Sequence, residues 1–589
     1  MGSGCKPDGL AYGGSNPSWP TKVNPADAGL ALPDFGWEST VAPFGERRGV
    51  NRLKSRPRPS DVRRAYERVA CRFESGVQLL ERRYTPLGRF KPGPFEGWSF
   101  LWQPTLLGFV AMVLILLGGS FTNSPFKFNL AKTWFFGEPS LGAVGTPSLT
   151  RLVLSIVLMY GGLLLLMRVW LRLAEVLKLH PGSSLKSLWW MLLIWATPMI
   201  VAPPLFSRDV FSYAAQGEMT AHHLSPYILG PSSLGFNAYT TPVDPLWANT
   251  PAPYGPFFLW IDGTIDRITQ HNQLATVVGL RLLEVVAVAM IGYGVSLLAR
   301  GLGRDPGEAF VLSALNPLVL LTLIGGAHND AIMAAFLVIG VALAVQRHPA
   351  WGLFFIACAT AIKAPAALGL AFVAWNWLGP RAPIRQRIKP ILVACVVTGV
   401  TISFWTWAAG FGFGWVNNLL SNGTVRSWAA PATGVGMAIT NTFHAVGLHS
   451  ITLTRVLSVT RLFGLLAAVA FTLWLLWRSE DRGWVRSLGL ALILFVELGP
   501  VVQPWYLAWG LILLAASYEG REHFWLLALS ITGPFIGLPG GRQLLSGLVH
   551  SNPLLMAVAF AILGGVLLVP MGRWTQWSWP EVGEEQSTT

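Results

Sequence analysis

Apolar runs long enough to cross a bilayer recur along this chain, and they dictate helices. Hydrocarbon offers no water to backbone N–H and C=O groups, so each spanning segment must satisfy its own. Full or nearly full runs lie at 104–120, 152–173, 186–205, 276–298, 309–325, 330–346, 389–409, 456–477 and 554–570. Three further stretches, 351–378, 487–518 and the run from 523, resist simple counting. Lys363-Ala364-Pro365 interrupts the first and Gln503-Pro504-Trp505-Tyr506 the second. Each of these two reads as a short hairpin whose tip lies at or below the outer surface, and the third as a span over 523–537. The expectation is an all-α polytopic membrane protein with about 14 membrane segments. Charged residues make up 12% of the 589 positions, about half the share usual in soluble chains, which excludes an ordinary cytosolic enzyme.

The chain divides into 1–100, 101–572 and 573–589. The first part holds no membrane-length run and no hydrophobic core of a cleavable signal peptide. It is Gly/Pro/Ser-rich up to about residue 45, where disorder is expected, and basic from Arg47 to Lys91. Val62, Tyr66, Val69, Phe73, Val77 and Leu80 recur at spacings of three and four, with Arg63, Arg64, Arg68 and Arg72 among them. That is an amphipathic helix suited to an anionic lipid surface or to the protein's own cytoplasmic loops. Arg300 and Arg304, Arg381, Arg385, Arg387 and Lys389, and Arg478, Arg482 and Arg486 fall in loops on the same side as that tail. Both termini are therefore expected in the cytoplasm of a cell-membrane protein. The loops 206–275, 410–455 and 538–553 are longer, poorer in Lys and Arg, and face outward. Cys5, Cys71, Cys358 and Cys395 suggest neither a disulfide framework nor a metal cluster.

Chemistry is expected in the outer loops. The first opens Ser207-Arg208-Asp209-Val210-Phe211-Ser212-Tyr213. An acid at the bilayer surface of an acid-poor chain is a functional candidate, unless it caps the following helix or pairs with Arg208. The same loop carries Ala221-His222-His223-Leu224-Ser225-Pro226-Tyr227 and Pro253-Tyr254-Gly255-Pro256. Adjacent histidines cannot both face one metal on a helix and no ligand follows at i+4, so no metal and no cofactor are expected. Aromatics and polar side chains between prolines suit a carbohydrate surface, or a rigid loop packed on its own rings. Gly325-Gly326-Ala327-His328-Asn329-Asp330 joins two apolar runs, with three polar side chains directed at one cavity or capping the next helix. Lys363, the one charge between Trp351 and Trp377, either snorkels outward or neutralises an anion. Arg281 and Glu284, three apart, read as an intrahelical pair.

With these residues in place, the chain resembles the actinobacterial polyprenyl-phosphate-mannose-dependent α-(1→6)-mannopyranosyltransferases, membrane glycosyltransferases of the GT-C type. The motifs that carry the resemblance are Arg208-Asp209-Val210-Phe211-Ser212-Tyr213, His223-Leu224-Ser225-Pro226-Tyr227, Tyr254-Gly255-Pro256, Gly326-Ala327-His328-Asn329-Asp330 and Gln503-Pro504-Trp505-Tyr506. Two spans precede the first large outer loop here, where simpler members have one.

The resemblance implies a polyprenyl-phosphate-mannose donor, a lipid-linked mannan acceptor and Asp209 as the base. It further implies Lys363, His328, Asn329, Asp330, Trp505 and Tyr506 on the donor side, and Tyr213, His222, His223, Tyr227 and Tyr254 around the sugar and acceptor. Membrane lipid is the surrounding partner and nucleic acid is not one. Another polyprenyl-phosphate sugar such as arabinose keeps the same fold, and a transporter or flippase is the reading from another class.

Overall fold

The computed structural model describes residues 101–120 and 149–536, apart from 180, 183–184, 380–381, 420–424 and 427–428. The basic N-terminal helix, the run at 554–570 and both tails lie outside the described residues. Within them the chain is helical, with no β-strand. Leaving aside four-residue turns, the helices are α1 (Trp102–Ser120), α2 (Leu149–Leu179), α3 (Leu185–Val201), α4 (Asp209–Ala221), α5 (Pro256–Ile268), α6 (Gln273–Gly301), α7 (Pro306–Ser313) and α8 (Asp330–Val345). They continue as α9 (Pro349–Thr360), α10 (Ala367–Asn376), α11 (Ile384–Ala409), α12 (Pro431–Ala445), α13 (Leu453–Trp477), α14 (Trp484–Glu497), α15 (Pro504–Ala515) and α16 (Glu522–Ile536).

Five helical stretches among the described residues are long and apolar enough to cross a membrane: Trp102–Ser120, Val153–Lys178, Gln273–Gly301, Ile384–Ala409 and Leu453–Trp477. They mark a membrane protein. α3, α8, α9, α15 and the stretch Ala364–Asn376 are apolar but shorter. The two interrupted runs do break: α9 and α10 are separated by a turn at Lys363, and α14 and α15 by the segment 498–503.

The run 309–325, expected as one span, is not one helix. α7 stops at Ser313, and Val319–Gly325 winds with the wider i→i+5 pattern. Pro317 lacks an N–H, and Asn316 fills the gap from its side chain. Its amide donates to Leu312 O (3.0 Å) and Ser530 Oγ (2.7 Å), while its Oδ1 accepts from Leu318 N (2.9 Å). The expected span 186–205 likewise ends early, at Val201, because Pro203 and Pro204 supply no N–H to continue it.

Glycines bring elements into close contact where the site needs it. A Cβ on Gly217 of α4 would lie 2.8 Å from the Asp262 carbonyl of α5, and one on Gly263 would meet Thr220. α4 and α5 therefore pack backbone to backbone.

Candidate active site

Two chain segments far apart in sequence meet behind Asp209. Leu205 N donates to Gly325 O at 3.1 Å. The fully buried Arg281 guanidinium of α6 donates to Ala202 O and, at 3.1 Å, to Gly325 O. Arg281, expected to pair with Glu284, thus bonds to carbonyls that two chain breaks leave without helical partners. It fixes the start of α4 against the turn 325–330.

Asp209 begins α4, but the N-cap position is Arg208 and no side chain caps this helix. The carboxylate is half-buried and lies 3.7 Å (Oδ2) from His328 Nε2. Burial pushes the Asp209 carboxyl above the usual aspartate range, opposed by the neighbouring His328 ring, the Ser207 hydroxyl and the Lys363 charge. His328 is fully buried. Its Nδ1 lies 2.6 Å from Thr322 O. A carbonyl only accepts, so Nδ1 carries a proton, and burial, which pushes the ring's pKa down and favours the neutral form, leaves the Nε2 lone pair facing Asp209. Trp505 stacks on the ring, centroids 3.8 Å apart and 21° between planes.

The three polar side chains after Gly326 do not share one direction. His328 faces Asp209. Asn329 Oδ1 receives Tyr213 OH at 3.5 Å, leaving Nδ2 buried without a hydrogen bond. Asp330 accepts Lys363 Nζ at both oxygens (2.9 and 2.8 Å) and Trp509 Nε1 at Oδ1 (2.6 Å). Lys363 does not snorkel outward, and the anion that it neutralises is the Asp330 carboxylate. Two of its three N–H groups are engaged, and it lies over the rings of Tyr506 (4.6 Å), Trp509 (5.5 Å) and Tyr254 (5.7 Å).

Local sequence explains how that turn reaches the site. Pro256 opens α5 at its first position, where no N–H is needed. Gly255 N donates to Ile362 O and Phe257 N to Ala361 O, both at 2.9 Å. Any Cβ on Gly255 would overlap the Ala361 carbonyl. The Tyr254-Gly255-Pro256 motif is thus a bracket for the Lys363 turn. Tyr254 and Tyr213 meet edge to face at 5.3 Å, which closes the ring of contacts.

Asp209, His328, Asn329, Asp330, Lys363, Trp505, Tyr506, Tyr213 and Tyr254 therefore form one connected cluster. His222 and His223 do not join it through any described contact, and Tyr227 meets it only where Tyr254 packs against the Tyr227 core. Tyr227 packs with Ala252, Leu259 and Trp415 in a separate small core. His223 takes a left-handed φ of 58° at the end of α4 and is exposed. His222 turns toward Glu218, four residues before it, and toward His271. Sequence reading missed Trp509, although it lies one turn beyond Trp505 and three residues beyond Tyr506, on whose ring it stacks at 4.7 Å.

Comparison with known proteins gives the family. Residues 105–379 match the α-(1→6)-mannopyranosyltransferase N-terminal domain, and residues 432–569 match the MptB C-terminal domain. The chain is 30% identical over 473 residues to α-(1→6)-mannopyranosyltransferase A of Mycobacterium tuberculosis, covering 77% of this chain and 86% of that one. It is 33% identical over 398 residues to α-(1→6)-mannopyranosyltransferase B of Corynebacterium glutamicum, covering 63% and 65%. No solved structure matches. The transporter reading is set aside, and the chain is a membrane glycosyltransferase belonging to the α-(1→6)-mannopyranosyltransferase family.

Proposed function

We propose that this protein transfers mannose from polyprenyl-phosphate-mannose to a hydroxyl of a lipid-linked mannan, forming α-1,6 linkages on the outer face of the cell membrane. The observation that carries the reading is the Asp209 carboxylate, half-buried beside a histidine whose lone pair faces it. An acceptor hydroxyl is a poor nucleophile, and its proton must leave as attack proceeds. Asp209 takes that proton while the hydroxyl oxygen bonds to the mannose anomeric carbon. The bond from that carbon to the phosphate oxygen breaks, and polyprenyl phosphate departs with the electron pair. A single displacement on a β-linked donor inverts to the α product. The buried Asn329 Nδ2 and the remaining Lys363 N–H are the donors offered to the departing phosphate. Asp330 cancels the Lys363 charge, so Lys363 acts here through a directed hydrogen bond more than through net charge.

The relatives, named as α-(1→6)-mannopyranosyltransferases, favour mannose over arabinose. The test uses purified protein with synthetic polyprenyl-phosphate-mannose and an α-1,6-oligomannoside. Transfer is expected with that donor and absent with GDP-mannose, and Asp209→Asn should lower the rate by about 10² to 10⁴. Equal use of GDP-mannose would overturn the donor assignment, and an Asp209→Asn rate within a few fold of wild type would overturn the base.

A further inference from the structure

Away from Asp209, the C-terminal end of α4 carries a second cluster that the transfer chemistry does not use. Glu218 and His222 are four apart on one face of the helix, with His222 Nε2 3.0 Å from Glu218 Oε1. His271, from the short connection between α5 and α6, places Nδ1 2.8 Å from Glu218 Oε2 and 2.9 Å from Asp266 Oδ2. One ligand atom from each of Glu218, His222 and His271 falls within 4.8 Å of the other two. With bonds of about 2.0–2.1 Å, neighbouring ligands of a tetrahedral zinc ion stand about 3.3 Å apart, so small side-chain rotations bring this trio to bonding distance.

Asp266 supplies an independent observation. Its side chain is fully buried. Tyr239 OH and Thr276 Oγ1 donate to Oδ1 at 2.6 and 3.0 Å. Those bonds fix the carboxylate so that Oδ2, which makes no hydrogen bond of acceptable geometry, points at His271. Asp266 Oδ2 thus approaches the same His271 nitrogen that faces Glu218, and it adds a fourth ligand atom beside the trio.

We propose that Glu218, His222, His271 and Asp266 form a binding site for a divalent transition-metal ion of the zinc class. Two imidazoles and two carboxylates favour zinc over calcium or magnesium, which take oxygen ligands in higher number. The site joins the C-terminal end of α4 to α5 and to the α5–α6 connection. Glu218 stands nine residues after Asp209, or about 13 Å along the helix axis. The ion is therefore a clamp on the helix that presents Asp209, not a participant at the reacting sugar, and it does not depend on the identity of that sugar.

The experiment uses the full chain purified in detergent with an affinity tag that contains no histidine. Metal content is measured by mass spectrometry before and after chelator treatment. Zinc is then titrated into the stripped protein by calorimetry, with thermal unfolding recorded in parallel. One zinc per chain is expected, with a higher melting temperature when it is restored. Glu218→Gln and His271→Ala should each weaken binding by more than roughly a hundredfold, and Asp266→Asn by about ten- to a hundredfold. Wild-type protein that takes up no zinc and whose unfolding zinc does not move would overturn the site. So would variants that bind as tightly as wild type, since the metal would then lie elsewhere. The wild-type measurements keep the proposal falsifiable even where a variant fails to fold.

Discussion

His328 turns its unprotonated Nε2 toward the Asp209 carboxylate across 3.7 Å, because its other nitrogen is committed to the Thr322 carbonyl at 2.6 Å. A lone pair facing a carboxylate is repulsive unless a proton lies between them. The pair is therefore arranged to hold one proton, and a proton taken from an acceptor hydroxyl is what it would hold. His328→Ala should lower the transfer rate by roughly ten- to a hundredfold, the worth of one hydrogen bond to a charged group at about 1.5–3 kcal/mol. Single-turnover rates with saturating donor check this. A His328→Ala rate equal to wild type would separate the histidine from proton handling.

The pH dependence follows from the raised Asp209 pKa. A base works only when ionised, so transfer should fall on the acid side at a higher pH than an ordinary aspartate would give. The stability effect has the opposite sense. A carboxyl whose folded pKa is raised binds its proton more tightly in the folded state. Its stabilising contribution is complete below the unfolded pKa of about 3.9 and is lost as pH rises through the folded value. At neutral pH Asp209→Asn should therefore melt no lower than wild type while transfer collapses. A marked fall in its melting temperature would show a structural role instead.

Removing Lys363 alone leaves the Asp330 carboxylate buried and without its cation. Lys363→Met should destabilise the protein by about 3–5 kcal/mol, and pairing it with Asp330→Asn should recover much of that loss. Chemical unfolding of the two single variants and the double variant gives the coupling directly. Additive losses would mean that the ion pair contributes little.

Gly255→Ala places a methyl group against the Ala361 carbonyl. The Lys363 turn must then move, at about 1–3 kcal/mol. Thermal unfolding and donor KM measured together should show a lower melting temperature and weaker donor use. A variant unchanged in both would mean that the bracket has slack.

The apolar runs made α1, α2, α6, α11 and α13 legible in the sequence, since length and composition alone settle such helices. The breaks at Lys363 and Gln503 were legible too, because a charge or a Pro cannot be passed over in hydrocarbon-length runs. The wide helical turn at Val319–Gly325 was not, because 309–325 stays apolar throughout and only Asn316-Pro317 hints at a fault. Within the candidate site, resemblance named Asp209, His328 and Trp505, but their mutual contacts and the pairing of Lys363 with Asp330 join segments too far apart in sequence for spacing to show. The histidine cluster was illegible for a plain reason. Glu218 and His271 are separated by 53 positions, and nothing in either segment announces the other.

Arg281 gives the site an order of assembly. Its guanidinium reaches back to the Ala202 carbonyl and forward to that of Gly325. During synthesis α6 leaves the ribosome with only the earlier of these two acceptors yet made. An arginine charge is costly within a bilayer until both are in place. The helix thus has reason to linger near polar surroundings until the next segment arrives. Lodging of α6 and closure of the turn that bears His328 would then be a single event, so that a chain interrupted before Gly325 presents Asp209 without the histidine that faces it.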